Sequence, residues 1–306
     1  MDIYFPIAEL SLNVFMLLGM GIGVGFLSGM FGVGGGFLLT PLLILIGVPH
    51  TVAVSTHANQ LIAASFSGAL AQWRRKAVDI RMGVVMLIGG LAGSGVGVWI
   101  FKYLTKIGQI ELVISLSFVI VLGVIGLLMA FESVRSILRS RRQKTPKPRA
   151  GRHPYWVRVL PFKMRFYRSR IYISVLVPMA VGAGVGVLVA IMGVGGGFVM
   201  VPAMIYILGM PTAVVTGTSL MEITIVTMNV TFLQALSTQT VDVVLALVIM
   251  TGGVVGAQFG VKLSDKLKGE QIRALLALLL LTVAAKLLVD LVVPPIDLYS
   301  ISGPLG

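Results

Sequence analysis

Long apolar stretches separated by short polar breaks run through the whole chain. A helix that crosses a bilayer needs about 20 consecutive apolar residues, at about 1.5 Å of rise per residue. Each half of the chain offers five apolar elements, of which the second is unusually short. In the first half they are residues 12–30, 37–46 (short), 51–72, 82–103 and 111–131; in the second they are 173–192, 198–208 (short), 212–235, 243–262 and 272–293. This pattern predicts an all-α polytopic membrane protein.

The two halves carry the same sequence signature in the same order. The sequence FGVGGGF at residues 31–37 returns as MGVGGGF at residues 192–198. Both copies continue with two prolines, a Thr-containing polar step, a glutamine, a Val-Asp pair and a glycine-rich span. The paired positions include Pro41 and Pro202, Thr56 and Thr218, Gln72 and Gln234, and Asp79 and Asp242. Because the spacing between paired positions stays nearly constant from one pair to the next, the halves are interpreted as two copies of one unit.

The repeat and the charge pattern divide the chain into three regions. We expect a first transmembrane repeat at 1–131, a basic cytoplasmic loop at 132–172 and a second, inverted transmembrane repeat at 173–306. Thirteen of the 24 Lys and Arg residues lie between Arg135 and Arg170. Within this loop, aromatic residues alternate with Arg and Lys from 155 to 172, which predicts a helix lying on the lipid headgroups.

Loop charge distinguishes two topologies. If the short elements cross, ten crossings place the basic loops at 74–81 and 262–273 and the central loop on the cytoplasmic side, and both termini in the periplasm. If they are re-entrant, eight crossings put the 262–273 loop outside. Ten crossings obey the positive-inside rule better. We therefore predict two inverted five-helix repeats, with the eight-span arrangement as the alternative.

Composition narrows the class of protein. Hydrophobic residues make up 57% of the chain and charged residues 11%, with a mean hydropathy of +1.00, which excludes a soluble domain. The net charge of +13 is concentrated in loops, so no nucleic-acid partner is expected. Cysteine is absent and the three histidines are scattered, so neither a metal nor any other cofactor is predicted. No HExxH sequence, paired-Asp motif or nucleotide-binding loop occurs, which argues against an enzyme.

On its paired GVGGGF repeats, with the polar step and the Gln and Val-Asp positions after each, the chain resembles the TauE/SafE family, also called toluene sulfonate uptake permeases. The resemblance covers nearly the whole chain except the central loop. It implies transport of small sulfur-containing anions, such as sulfite, thiosulfate, sulfoacetate or other sulfonates, across a bacterial inner membrane. The chain departs from the usual Thr-Ser of the first polar step in having Thr56-His57.

The glycine runs are the main candidate for an anion site. Glycine adopts positive φ at no steric cost, so successive N–H groups can converge on one anion. A short helix begins directly after each run, and its unpaired N–H groups and positive dipole end point to the same place. The candidates are Gly34, Gly35, Gly36, Gly195, Gly196 and Gly197. The alternative is that these glycines only allow close helix packing, which is the preferred interpretation for the four-residue series around Gly89, Gly93 and Gly97.

Polar residues inside otherwise apolar spans form a second candidate group. Intramembrane polar residues are costly and tend to mark substrate or proton paths. The candidates for binding the anion are Thr56, His57, Asn59, Gln60, Thr218 and Ser219. The alternative for Thr56 and Thr218 is a hydrogen bond to a carbonyl of their own helix.

Glu222 is the least expected residue of this group, because a carboxylate beside an anion site repels the substrate unless it is protonated or paired. We consider a proton relay between His57 and Glu222, with a purely structural hydrogen bond of Glu222 as the alternative. Gln72, Asn229 and Gln234 are candidates for the pathway or for interhelical hydrogen bonds. Asp79 and Asp242 are predicted to be helix N-caps.

The preferred function is therefore a secondary transporter of small sulfur-containing anions, which would be proton-coupled if the relay is present. The anion would be held at the midplane by the glycine-rich helix N-termini and by hydroxyl and amide side chains. A transporter or channel for another small anion, such as a carboxylate, is the first alternative, and an intramembrane enzyme is the second.

Overall fold

In a computed structural model, the chain forms two β-hairpins and ten α-helices within the residues that the structure describes, which are 2–8, 10–31, 38–140, 161–169, 171–238, 242–264 and 269–292. The strands are β1 (Asp2–Phe5), β2 (Leu10–Asn13), β3 (Lys163–Phe166) and β4 (Ile171–Ser174). The helices of the first half are α1 (Val14–Phe31), α2 (Leu39–Leu45), α3 (His50–Arg74), α4 (Ile80–Lys106) and α5 (Ile110–Ser140). Those of the second half are α6 (Leu176–Met192), α7 (Gly197–Tyr206), α8 (Thr212–Ser237), α9 (Val243–Ser264) and α10 (Gly269–Val292).

Each of the ten predicted apolar elements coincides with a helix, and the two halves share one order of elements. Five helical segments are long and apolar enough to cross a membrane, in α4, α5, α8, α9 and α10, and apolar segments of α1, α6 and α7 are shorter. Helix α3 has 25 residues and contains the polar stretch. The fold is thus mostly helical and consistent with a polytopic membrane protein.

The predicted interfacial helix is wrong for the part of 155–172 that the structure describes. Residues 163–166 and 171–174 instead form the antiparallel hairpin β3–β4, in which Lys163 pairs with Ser174 and Phe166 with Ile171. The physical reason is that polar and apolar residues alternate with a period of two, so that Phe166 is buried while Arg165 is exposed. The predicted boundary at residue 173 falls within strand β4 of this hairpin, and residues 141–160 lie outside the described part.

The same kind of hairpin begins the first half. Strand β1 pairs with β2 in antiparallel register, and the two hairpins stand at the same spacing along the chain as the two glycine motifs. Phe5 and Phe166 are both fully buried, and Ala8 and Ser169 are both 1% exposed. The sequence repeat thus extends upstream of the glycine motif, into a hairpin that precedes each first helix.

Helices of one half pack against helices of the other. Helix α1 lies along α9, α4 along α6, α5 along α10 and α3 along α8. Small residues make the first two contacts close: a Cβ placed on Gly89 or Gly93 would collide with the backbone of α6, and one on Gly256 or Gly260 with the backbone of α1. The predicted packing role of the glycines spaced by four residues is confirmed.

Candidate functional site

Two long-range hydrogen bonds connect the polar stretches of α3 and α8 to the starts of α9 and α4. The backbone N–H of Asp79 donates to Oγ1 of Thr218 at 3.0 Å. The backbone N–H of Asp242 donates to Oγ1 of Thr56 at 3.1 Å. Each aspartate also caps its own helix, with Oδ1 accepting from Met82 N at 3.2 Å and from Leu245 N at 3.0 Å. The predicted N-caps are confirmed, and their hydrogen bonds to the threonines are equivalent in the two halves.

Two hydroxyl groups in the polar stretch of α8 are engaged within the protein. Thr218 donates to the carbonyl of Val214 at 2.7 Å, and Ser219 donates to that of Thr216 at 3.1 Å. This is the own-helix arrangement that the sequence leaves open as the alternative. Thr56 and Thr218 are both buried, at 1% and 0% exposure. A substrate role for Thr56, Thr218 and Ser219 stays a prediction.

His57 is fully buried on α3 and is held by a residue of the short helix α2. Its Nδ1 lies 2.6 Å from Oγ1 of Thr40, which is also fully buried. Its Nε2 has no hydrogen-bond partner among the described residues. Sequence reasoning missed Thr40, although it is the only polar side chain in the apolar element at 37–46. The second half has Val201 and Ser219 at the positions of Thr40 and His57, so this pair occurs in one half only.

The second glycine motif forms a tight buried turn between α6 and α7. Gly193 and Gly196 have φ values of 65° and 63°, which favour glycine. A Cβ on Gly193 would collide with the backbone of Val54 on α3, and one on Gly195 would lie 2.8 Å from Cδ1 of Leu61. Since residues 54, 57 and 61 share one face of α3, the motif packs on the same face as His57.

The N–H groups of this turn are partly available. Gly193 N donates to Val189 O at 2.9 Å and Gly196 N donates to Val194 O at 2.5 Å. The N–H groups of Gly195 and Gly197 have no acceptor among the described residues. Both residues are buried, and Gly197 is the first residue of α7. Buried N–H groups without an acceptor are rare in proteins. These two could donate hydrogen bonds to an anion bound at the motif. Gly34, Gly35 and Gly36 lie outside the described residues.

Gln60 and Glu222 occupy equivalent positions and face equivalent glycines. A Cβ on Gly253 of α9 would lie 2.9 Å from Nε2 of Gln60, and one on Gly90 of α4 would lie 3.1 Å from Oε1 of Glu222. Oε1 of Gln60 and Oε2 of Glu222 are buried without a hydrogen-bond partner among the described residues. A cavity of about 290 Å³ opens beside Gln60, between α3, α8 and α9.

The structure does not join His57 to Glu222 directly. Nε2 of His57 and Oε2 of Glu222 both lack a partner within the described part of the chain. Glu222 is 1% exposed and has no ion-pair partner among those residues. The relay therefore stays a prediction. The side chain of Asn59 lies outside the described part of the structure.

The three residues predicted to line a pathway lie farther along α3 and α8. Asn229 Nδ2 donates to Ser94 Oγ on α4 at 2.8 Å, and Gln234 Nε2 donates to Ala190 O on α6 at 3.1 Å. Gln72 is half-buried near the end of α3. Two of the three thus form the interhelical hydrogen bonds of the alternative interpretation, and their pathway role is untested.

The hairpin β3–β4 is docked on the loop between α3 and α4. Oδ2 of Asp79 accepts from Ser169 N at 2.9 Å and from Ser169 Oγ at 2.6 Å. Arg168 donates to the carbonyls of Lys76 and Val78 at 2.7 and 2.8 Å. The equivalent Oδ2 of Asp242 is buried without a partner among the described residues.

The sequence is similar to those of known membrane proteins. The family profile described as "Sulfite exporter TauE/SafE" matches residues 17–287. A Bacillus subtilis (strain 168) protein called "Probable membrane transporter protein YjnA" is 25% identical over 272 residues, which cover 88% of this chain and 97% of that protein. A Xylella fastidiosa (strain Temecula1 / ATCC 700964) protein called "Probable membrane transporter protein" is 30% identical over 270 residues, covering 85% of this chain and 88% of that one.

A second Xylella fastidiosa protein of the same description, from strain 9a5c, is 31% identical over 264 residues and covers 83% of this chain and 86% of its own length. No solved structure matches the chain. The profile match covers the glycine motifs, the polar stretches of α3 and α8 and both N-cap aspartates. The chain therefore belongs to the TauE/SafE family of membrane transporters.

Proposed function

We propose that the chain is a secondary transporter of small sulfur-containing anions such as sulfite, thiosulfate, sulfoacetate or related sulfonates. The anion sits where the second glycine motif meets the His57 face of α3. The observation that carries this proposal is the pair of buried N–H groups, of Gly195 and Gly197, that have no acceptor among the described residues. The family description as sulfite exporters supports the substrate class.

The donor set suits an oxyanion. A sulfite or sulfonate group offers only acceptor oxygens, and removing its hydration shell costs several kcal/mol unless donors replace it. The N–H groups of Gly195 and Gly197 and the positive end of the ten-residue α7 supply such donors without a full positive charge. His57 adds a third donor if its proton is on Nε2, which requires that Thr40 donates to Nδ1.

Inversion of the two repeats is part of the proposal. Helix α3 has 25 residues, and α4 begins just after its end. Thr218 is six residues past the start of α8, and its hydrogen bond to Asp79 places it at the start of α4. Thr56 is six residues past the start of α3, and its hydrogen bond to Asp242 places it at the start of α9. The start of α8 is thus near the end of α3, and the start of α3 is near the end of α8. These contacts support antiparallel α3 and α8, as an inverted repeat requires.

The same contacts favour ten crossings over eight. The β3–β4 hairpin, which leads into α6, is docked beside Asp79, and Thr218 near the start of α8 contacts the same residue. Helices α6 and α8 therefore start at one end of the molecule, so α7 must lead the chain back. The end of α6 at Gly193 touches Val54, about one helical turn in from the other end of α3. An eight-span arrangement would start α6 and α8 at opposite ends.

Orientation in the membrane follows from loop charge. The end that carries Asp79 also carries Arg74, Arg75, Lys76 and Arg168, which the positive-inside rule assigns to the cytoplasm. The opposite end carries Asp242, and residues 236–242 contain no base. We therefore place the central loop in the cytoplasm and both termini in the periplasm of a bacterial inner membrane.

The native absence of cysteine allows a clean topology test. Ser237→Cys at the end of α8 is expected to react with a membrane-impermeant maleimide added outside intact cells. Lys76→Cys, exposed in the α3–α4 loop, is the matched control and is expected to react only after permeabilisation. Labelling of Ser237→Cys from the cytoplasmic side alone would rule out the inverted arrangement.

Proton coupling through Glu222 completes the proposal. Glu222 is 1% exposed and has no cation beside it in the described part of the chain, and a buried, unpaired carboxylate is costly unless it is protonated. Glu222 directly precedes Ile223, whose Cγ2 would lie 3.2 Å from a Cβ on Gly195. A proton exchanged between Glu222 and His57, through water or a movement of the helices, would link the charge near the site to passage of the anion.

The substrate class is tested with the purified protein. Thermal unfolding is followed with sulfite, sulfate, thiosulfate, sulfoacetate, taurine and simple carboxylates, and flux of the stabilising anions is then measured in proteoliposomes. Stabilisation and flux by sulfur oxyanions are expected. Stabilisation by carboxylates alone would assign the chain to a different anion class.

A further inference from the structure

Two arginines from different elements lie over one tyrosine ring at the end of the molecule that carries Asp79. The guanidinium carbon of Arg81, in the first turn of α4, is 5.1 Å from the ring centroid of Tyr167, and that of Arg165, in β3, is 5.9 Å from it. All three side chains are exposed. Neither arginine has an ion-pair partner among the described residues. The two guanidinium groups thus share one aromatic ring, and within the described part of the chain no carboxylate pairs with either of them.

The elements that carry the two arginines are fixed relative to each other. Asp79 caps α4 next to Arg81 and also accepts two hydrogen bonds from Ser169 in the turn of the hairpin. Arg168 fastens the same turn to the α3–α4 loop through two carbonyl oxygens. The backbone segments that carry the two arginines are therefore fixed before any ligand arrives, and the shared ring of Tyr167 restricts both side chains, which lowers the entropic cost of binding.

This arrangement occurs at one end of the molecule only. By the repeat offsets, the residues that correspond to Arg165, Tyr167 and Arg81 are Tyr4, Pro6 and Val244. The first hairpin therefore carries neither the two charges nor the ring. Because both halves have the same hairpin and helix, the fold itself does not require these three residues.

The surroundings of the arginines favour a lipid over a soluble anion. Trp73, Ile80 and Val84 are 52%, 46% and 42% exposed at the end of α3 and along the start of α4. Arg165 and Tyr167 themselves line a cavity of about 610 Å³, together with Phe166, Ile171 and Tyr172 of the hairpin. Acyl chains can cover exposed apolar residues of this kind, whereas a hydrated anion cannot.

We propose that Arg81, Arg165 and Tyr167 bind the phosphodiester headgroup of an anionic phospholipid. The two guanidinium groups donate charge-assisted hydrogen bonds to the phosphate oxygens, and Tyr167 keeps the groups together by cation–π contact. The acyl chains lie along the start of α4. The assignment to the cytoplasmic leaflet rests on the proposed orientation, but binding itself depends neither on that orientation nor on the transported anion.

The test uses the purified, delipidated full-length chain and native mass spectrometry during titration with phosphatidylglycerol or phosphatidylcholine. The wild type is expected to retain phosphatidylglycerol preferentially. Because the double variant Arg81→Gln/Arg165→Gln loses the direct charge-assisted hydrogen bonds to the phosphate, it is expected to bind phosphatidylglycerol more weakly by about tenfold or more. Size-exclusion profiles check that the variant is folded.

The matched control removes the same charge from the neighbouring loop. Arg74→Gln/Arg75→Gln is expected to stay within about twofold of the wild type, since neither residue contacts Tyr167. An unchanged affinity of the Arg81/Arg165 variant overturns the proposal, and an equal loss in the control shows diffuse attraction instead of a site. Displacement of the lipid by equimolar glycerol phosphate would show a site for a soluble anion.

Discussion

The backbone N–H of Asp79 donates to Oγ1 of Thr218, 139 positions later in the chain, at 3.0 Å. Its counterpart in the other half joins Asp242 to Thr56 at 3.1 Å. In each case a helix start of one half is held by a hydroxyl group inside the polar stretch of the other. The two halves are therefore coupled at residues that the sequence indicates as candidate substrate ligands.

The first prediction concerns this coupling. Thr218→Val removes the acceptor for the N–H of Asp79, and a buried N–H left without a partner costs about 1–3 kcal/mol. We expect a lower unfolding temperature in detergent for Thr218→Val and for Thr56→Val, and a smaller loss for Thr218→Ser, which keeps the hydroxyl.

Thr282→Val is the control, because the exposed hydroxyl of Thr282 donates only to Leu278 O within α10. It is expected to leave the unfolding temperature nearly unchanged. If Thr218→Val unfolds at the same temperature as this control, the hydrogen bond contributes nothing to stability.

The second prediction concerns Glu222. When charged, this carboxyl repels an anion at the neighbouring glycine motif, and protonation removes the repulsion. Anion affinity of the wild type should therefore strengthen as pH falls. Glu222→Gln should keep the low-pH affinity at all pH values and make flux in proteoliposomes insensitive to an imposed proton gradient.

Glu111→Gln is the matched control, since the side chain of Glu111 is 68% exposed at the start of α5. Its flux should respond to the proton gradient as in the wild type. An unaltered pH dependence in Glu222→Gln would eliminate Glu222 as the coupling residue.

Local patterns in the sequence are sufficient to predict much of the fold. Asp79 and Asp242 are predictable as N-caps because an aspartate directly before an apolar span is a local signal, and both caps are present. Helix α8, predicted at 212–235, runs from Thr212 to Ser237. The β3–β4 hairpin is missed because alternating bases and aromatics suit an interfacial helix as well as a strand over so short a range.

Long-range partners cannot be predicted in the same way. Nothing local to Thr218 or Thr56 indicates a bond to an aspartate of the other half. Thr40 and His57 are 17 positions apart, and only the fold brings α2 against α3. The candidate residues stand out for being polar within apolar spans, and the same property also makes them structural hydrogen-bonding groups, as with Asn229 and Gln234.

The third prediction concerns Thr40. If its hydroxyl donates to Nδ1 of His57, the imidazole proton is on Nε2, where it can serve as a donor to an anion. Thr40→Val removes the hydroxyl that fixes the imidazole tautomer. Valine has nearly the same shape as threonine and is the residue at the equivalent position 201 of the other half. Anion affinity is expected to fall about tenfold, equivalent to about 1.4 kcal/mol.

Thr40→Ser keeps the hydroxyl and is expected to bind the anion as the wild type does. Affinity is measured by calorimetry with the anion that stabilises the protein most, and thermal unfolding without anion reports on folding. Equal affinities in Thr40→Val and Thr40→Ser would show that Thr40 does not position His57 for binding.

The last prediction uses the difference between the two hairpins. Ser169 gives Oδ2 of Asp79 two hydrogen bonds, whereas Ala8 stands at the equivalent position and Oδ2 of Asp242 has no partner among the described residues. Ser169→Ala removes one donor and should loosen the β3–β4 hairpin by about 1 kcal/mol. If the first hairpin docks as the second does, Ala8→Ser supplies a donor for Asp242 and should tighten the β1–β2 hairpin by a similar amount.

Hydrogen exchange of the strand amides is the measurement, because it reports on the opening of each hairpin separately. Exchange in β3 and β4 should accelerate about fivefold in Ser169→Ala, with β1 and β2 unaffected, since about 1 kcal/mol corresponds to that factor. Ala8→Ser should slow exchange in β1 and β2 only. A Ser169→Ala variant with wild-type exchange in β3 would mean that Asp79 does not hold the hairpin. Faster exchange in both hairpins of Ser169→Ala would mean that the two hairpins open together. The contact of Ser169 with Asp79 would then not act on the β3–β4 hairpin alone.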